Sequence, residues 1–142
     1  MATQTELRRE EAAARERVDR AHDAYATAAR RRVIAELLQM TVENRQIAGF
    51  GLSAEYEYDD EGGYCRYLNG WLDRTPDGDE LDGYWTEGLN VEQAVILDLF
   101  GIDGTGEGTL TAKQVLCLAA EERISVSVVS PDVAAASRRE GR

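Results

Sequence analysis

Apolar residues recur at helical spacing around residue 35 and at strand spacing around residue 54, and these two patterns predict the first elements of the chain. Residues 3–40 contain no proline or glycine and are rich in alanine and arginine, which predicts one long helix. Glu11 with Arg15 and Glu16 with Arg20 are i,i+4 pairs in the favourable order. Val33, Ile34, Leu37, Leu38 and Met40 form a dense apolar stripe, so the C-terminal half of the helix should dock on a core. The N-terminal half carries a thinner seam of Leu7, Ala14, Ala21 and Ala28 beside Glu11, Val18, Tyr25 and Arg32. A helix of this length reaches about 57 Å, longer than a domain of this size is wide. Residues 1–32 are therefore expected to be an arm that projects, breaks or pairs with another chain.

Phe50, Leu52, Ala54, Tyr56 and Tyr58 alternate with Gly51, Ser53, Glu55, Glu57 and Asp59. This is the period of a strand with one buried face. Asp59–Gly63 supplies a turn with two glycines, and Tyr64–Leu72 returns as a second strand. Pro76-Asp77-Gly78 marks another turn, and Tyr84 with Trp85 predicts a short third strand. Asn90 with Gln93 reads as a capping box for a helix bearing Val91, Val95, Leu97, Leu99 and Phe100, with Gly101 as its terminator. Thr111 with Gln114 is a second capping box, opening a helix with Val115, Leu116, Leu118 and Ala119 on its apolar face. Ile124, Val126 and Val128 alternate with serines and predict a final strand that Pro131 ends. The expected fold is α+β: a long N-terminal helix, an antiparallel hairpin or meander of three to four strands, and two shorter C-terminal helices. Residues 33–130 form its single domain, and 131–142 a loose tail.

Charge changes this picture by concentrating in the middle. Of the net charge of −11, the stretch 54–108 carries −13, from fifteen acids against Arg66 and Arg74. A field of that strength affects partner choice without defining a reaction. Glu55, Glu57, Asp59, Asp60, Glu61, Asp73, Asp77, Asp79, Glu80 and Asp82 are the candidate recognition residues for a basic protein surface. Tyrosines and tryptophans interleave with them, as at many protein interfaces. Carboxylates in this arrangement imitate phosphate spacing. The composition is similar to that of small acidic proteins of mobile elements that inhibit nucleases or defence complexes.

The remaining chemistry is sparse. The longest apolar run, Val115–Ala120, is six residues and cannot span a bilayer. The first residues become charged at once, without the apolar core of a secretory signal, so the expected location is the cytoplasm. Cys65 and Cys117 are expected to be reduced and packed as small hydrophobes. His22 stands alone among alanines and arginines, with no carboxylate expected near it. No Gly-x-Ser-x-Gly elbow is present, and Gly104–Gly108 lacks the Gly-Lys ending of a phosphate loop. The paired carboxylates fall on predicted turns, where solvation keeps them ionised, so no catalytic residues are assigned and the chain is read as a non-enzyme. The arginines near the C-terminus are too few, beside so acidic a block, to predict direct nucleic-acid binding.

One stretch offers an alternative. Asp103–Gln114, Asp-Gly-Thr-Gly-Glu-Gly-Thr-Leu-Thr-Ala-Lys-Gln, lies between two predicted helices and resembles a calcium-binding EF-hand loop. The resemblance implies ligand oxygens on Asp103, Thr105, Glu107, the Thr109 carbonyl, Thr111 and Gln114, with Gly108 at the sharp turn. Only two of those side chains carry charge, and the closing bidentate carboxylate is a glutamine. No other cofactor is expected.

Overall fold

The structure, a computed structural model, describes residues 1–58, 60–74, 84–86 and 88–126. It has the expected α+β composition: a long N-terminal helix, a three-stranded antiparallel sheet and two shorter helices. The first helix, α1, runs Gln4–Glu43. It starts where a capping box closes: the Thr3 hydroxyl accepts from the Glu6 N–H, and the Glu6 carboxylate accepts from the Thr3 N–H, both at 3.2 Å. Forty residues make a rod of about 60 Å. The predicted ion pairs form along its exposed part, Arg15–Glu11 at 3.0 Å and Arg20–Glu16 at 3.4 Å. Only Ala29, Val33, Ile34, Leu37 and Leu38 are buried. Their spacing keeps them on the one face that packs on the sheet and the later helices.

Strands β1 (Ile47–Tyr58) and β2 (Tyr64–Arg74) form the predicted hairpin, in register from Phe50 opposite Leu72 to Tyr58 opposite Tyr64. The third strand, β3, is not at Tyr84 and Trp85. It is Gly106–Thr111, antiparallel to the other side of β1, so β1 is central and the order is β2-β1-β3. Trp85 instead lies in a turn and drops its indole into the core. The ring stacks on Phe100 at 5.1 Å, meets Phe50 edge-on at 6.3 Å, and donates Nε1–H to the Gly51 carbonyl at 2.8 Å.

Two glycines make room for this packing. Leu52 is paired with Gly70 on one side and Gly108 on the other. A Cβ at Gly70 would lie 2.6 Å from the Trp85 indole, and one at Gly108 would lie 2.6 Å from the Phe100 carbonyl oxygen. Phe50, Leu52 and Ala54 are fully buried on this inner face, but the same face at Tyr56 and Tyr58 is exposed. The hairpin thus runs past the end of the core.

Helix α2 is Gln93–Leu99 and α3 is Ala112–Glu121. Asn90 does not cap α2. Gln93, the expected partner of that capping box, is engaged by Arg66 across the fold, and Glu92 is the N-cap, without a side-chain bond. At the other end Gly101 takes φ +68° and Ile102 N–H bonds the Leu97 carbonyl at 2.9 Å, a Schellman turn. Thr111 and Gln114 cap α3 reciprocally, as expected. The end of α3 repeats the Schellman geometry with Arg123 at φ +55° and Ile124 N–H bonding the Ala119 carbonyl at 2.8 Å. Ile124–Val126 therefore turns back onto the core instead of opening the predicted strand, and Val128 lies outside the described residues. Val115 and Ala119 are the buried face of α3, whereas Leu116 is exposed. Cys65 and Cys117 are also exposed, not packed as expected. Among the described residues no helix is long and apolar enough to cross a membrane.

Candidate functional site

Strand alternation decides where the predicted acidic residues point. From Gly49 to Tyr58, odd-numbered residues of β1 share the outer face of the sheet with Cys65, Tyr67, Asn69, Trp71 and Asp73 of β2. Glu107, Thr109 and Thr111 of β3 complete that face. Glu55 and Glu57 thus stand side by side near the hairpin turn, and Asp60 and Glu61 lie in the turn itself, all exposed. Asp73 is at the opposite end, paired with Gly49 and accepting from Trp71 Nε1 at 3.1 Å. Gly49 and Glu55 are six steps apart on β1, so these ends are separated by roughly 20 Å of strand. Asp59, Asp77, Asp79, Glu80 and Asp82 lie outside the described residues.

The structure therefore gathers four of the expected carboxylates, Glu55, Glu57, Asp60 and Glu61, at one end of the hairpin. It adds Glu107, which faces the same way opposite Ser53. Sequence spacing could not place Glu107 there, because its neighbourhood depends on β3 joining β1. No arginine or lysine occupies an outer-face position in these registers. Arg66, one of the two arginines of the hairpin, is on the inner face, where it bonds the Gln93 side chain at 3.2 Å and the Gly104 carbonyl at 3.3 Å. The aromatic residues divide between faces. Tyr67 is outer, while Tyr56, Tyr58 and Tyr64 are inner and exposed. Tyr58 and Tyr64 are a cross-strand pair with ring centroids 4.0 Å apart. The Tyr64 phenol is held above its ordinary value, first by hydrogen bonding with Tyr58 and then by desolvation.

The EF-hand-like stretch takes a different shape from a ligand-wrapping loop. Gly106–Thr111 is extended and laddered to β1. Glu107 and Thr111 are four strand residues apart, about 13 Å, too far to share an ion whose ligands sit within about 2.6 Å. The Thr111 and Gln114 side chains are already committed to each other's backbone N–H groups. Asp103, Thr105 and Thr109 are exposed along the way. Among the described residues no group of three or more His, Cys, Asp and Glu side chains converges on a common point.

A second concavity, not anticipated from the sequence, lies between α1 and α2. It is a groove of about 440 Å³ whose lining includes His22, Ala26, Arg30, Glu92, Val95 and Asp98. His22 does have a carboxylate neighbour, since its Nε2 is 3.4 Å from Glu92. The Tyr25 hydroxyl accepts from the Glu92 N–H at 3.4 Å, and Arg30 pairs with Glu122 at the end of α3. These contacts show where the arm docks: from His22 onward α1 touches the body. Residues 22 and 92 are 70 positions apart, and no local pattern could link them. Comparison with protein-family models, with curated proteins and with solved structures finds no match to this chain.

Proposed function

We propose that this protein is a non-catalytic interaction module whose acidic hairpin end binds a basic surface of another protein. The observation that supports it is the one-signed outer face: Glu55, Glu57 and Glu107, with Asp60 and Glu61 at the turn and no cation at any outer-face position of the described registers. Glu55 and Glu57 repeat at about 6.7 Å along the strand. A partner that otherwise holds a phosphate backbone is therefore the natural fit, and the protein would act as a nucleic-acid mimic in the cytoplasm beside it. Exposed tyrosines beside the carboxylates supply the amphipathic contact area that protein interfaces favour. The test is capture of basic proteins from the host on the immobilised chain. It compares wild type with the variant Glu55→Gln, Glu57→Gln, Asp60→Asn, Glu61→Gln. A partner is expected to be retained at low salt by wild type alone, to elute as salt screens the charges, and to be displaced by added duplex DNA. Equal retention by the folded variant would overturn the reading.

The arm supports a second reading. Leu7, Ala14, Val18, Ala21 and Tyr25 continue, on the same helix face, the stripe that docks at Ala29 and Val33, and Leu7, Val18 and Tyr25 are exposed. This favours self-association through α1, as in a structural subunit. Deletion of residues 1–20 stops short of the docked segment. It is expected to convert an oligomer to a monomer in sedimentation analysis without loss of helix α3 or the sheet. A monomeric wild type at high concentration would remove this role for the arm.

A further inference from the structure

We infer that the partner is taken as an added β-strand, a basic extended peptide that pairs with the edge of β1 at Glu55–Tyr58 that no described strand covers. This deepens the acidic-recognition reading above and rests on it. The pairing of β1 is unequal on its two sides. With β2 it continues to Tyr58 opposite Tyr64, but with β3 it stops at Ala54 opposite Gly106. Four residues of β1 therefore have a strand neighbour on one side only among the described residues. The chain leaves the ladder there through glycines in backbone conformations that side chains disfavour, Gly106 at φ +132° and Gly104 at φ +77°. Successive residues of a strand in an antiparallel ladder direct their N–H and C=O groups to alternate sides, so half of those at Glu55–Tyr58 face the vacated lane. An unpaired edge is a template for a further strand.

The lane is concave. Ala54, Glu55, Tyr56, Thr105, Gly106 and Glu107 line an open notch of about 500 Å³ at the point where β3 ends. Its charge selects the occupant. A strand lying there places every second side chain on the outer face, against Glu55 and Glu57 and close to Glu107. The intervening side chains fall beside Tyr56 and Tyr58. The complementary peptide has Arg or Lys at alternate positions and apolar residues between them. The opposite edge of the sheet is obstructed. Gln93 Nε2 donates to the Arg66 carbonyl of β2 at 2.9 Å, and Thr86, Leu89 and Val91 face Tyr67 and Leu68 across a concavity of about 330 Å³.

The test uses the full chain and a fluorescein-labelled, amidated pentapeptide, Arg-Val-Arg-Val-Arg, read by anisotropy. It is compared with its isomer Arg-Arg-Arg-Val-Val and with two N-methylated forms, one methylated on the arginine amides and one on the valine amides. Strand addition predicts that one methylated form binds about tenfold more weakly while the other keeps its affinity, because only one set of amides faces β1. The block isomer should bind several-fold more weakly than the alternating parent, as should the parent to Glu55→Gln/Glu57→Gln. If the isomer and both methylated forms match the parent, strand addition is wrong, while charge recognition by the hairpin stands. If no peptide binds at millimolar concentration, strand addition is again wrong, and the acidic reading then depends on the capture experiment alone.

Discussion

Trp85→Ala is expected to destabilise the protein more than any other single truncation of the core, by about 3–5 kcal/mol, seen as a fall in melting temperature of roughly 10–20 °C. The indole is 2% exposed and ties the end of α2 to the inner face of the β1–β2 hairpin. It stacks on Phe100 at the end of α2, meets Phe50 on β1, and fills the space over β2 that Gly70 leaves open. Its N–H also satisfies the Gly51 carbonyl on the central strand. Truncation removes the apolar contact, opens a cavity between two glycine-thinned strands and strands a carbonyl oxygen. Trp85→Phe separates these effects. It keeps a ring in the stack but not the N–H, and should cost about 1–3 kcal/mol. A loss below about 1 kcal/mol for Trp85→Ala would mean that the turn carrying residue 85 does not pack as described.

The elements that sequence patterning revealed are those whose determinants are local. The N-terminal helix needs only its alanine-rich, glycine-free composition. The hairpin needs only its period of two and its turn, and α3 needs only Thr111 and Gln114. What remained hidden depends on tertiary neighbours. Gly106–Thr111 is two-thirds glycine and threonine and reads as a loop, yet it is a strand because Gly108 lets it close against the Phe100–Ile102 turn while pairing with Leu52. Asn90 and Gln93 satisfy a capping rule, but Gln93 is drawn instead to Arg66. Alternation through Tyr56 and Tyr58 predicts burial that does not occur, since periodicity cannot say where the core ends. The same limit applies to the candidate site. Glu55, Glu57, Asp60 and Glu61 follow from hairpin register, whereas Glu107 and the notch beside Glu55 exist only once β3 is in place. His22 acquires its Glu92 neighbour only when α2 docks against the arm.

Gly108→Ala tests that placement of β3 directly. One added carbon would lie 2.6 Å from the Phe100 carbonyl oxygen and 3.2 Å from an Ile102 side-chain carbon. The side chain can yield, but the carbonyl belongs to the Schellman turn that ends α2, where Ile102 N–H is bonded to Leu97. Either β3 must part from the turn or the turn must loosen. Overpacking of this kind costs about 1–3 kcal/mol, measurable as a lower denaturant midpoint. Combining the change with Ile102→Val should not restore stability, because the tighter clash is with backbone; full rescue would place the strain in the side chain instead. The consequence reaches the candidate site, since Gly108 stands two residues from the end of the β1–β3 ladder at Gly106. A β3 that retreats from β1 lengthens the free edge beyond Glu55–Tyr58. In Gly108→Ala, hydrogen exchange of those amides of Leu52–Ala54 that face β3 should therefore quicken before exchange of the amides bonded between β1 and β2 does. Uniform quickening across the sheet would show that β3 is not an independently yielding strand, and the notch would then be a fixed feature of the fold.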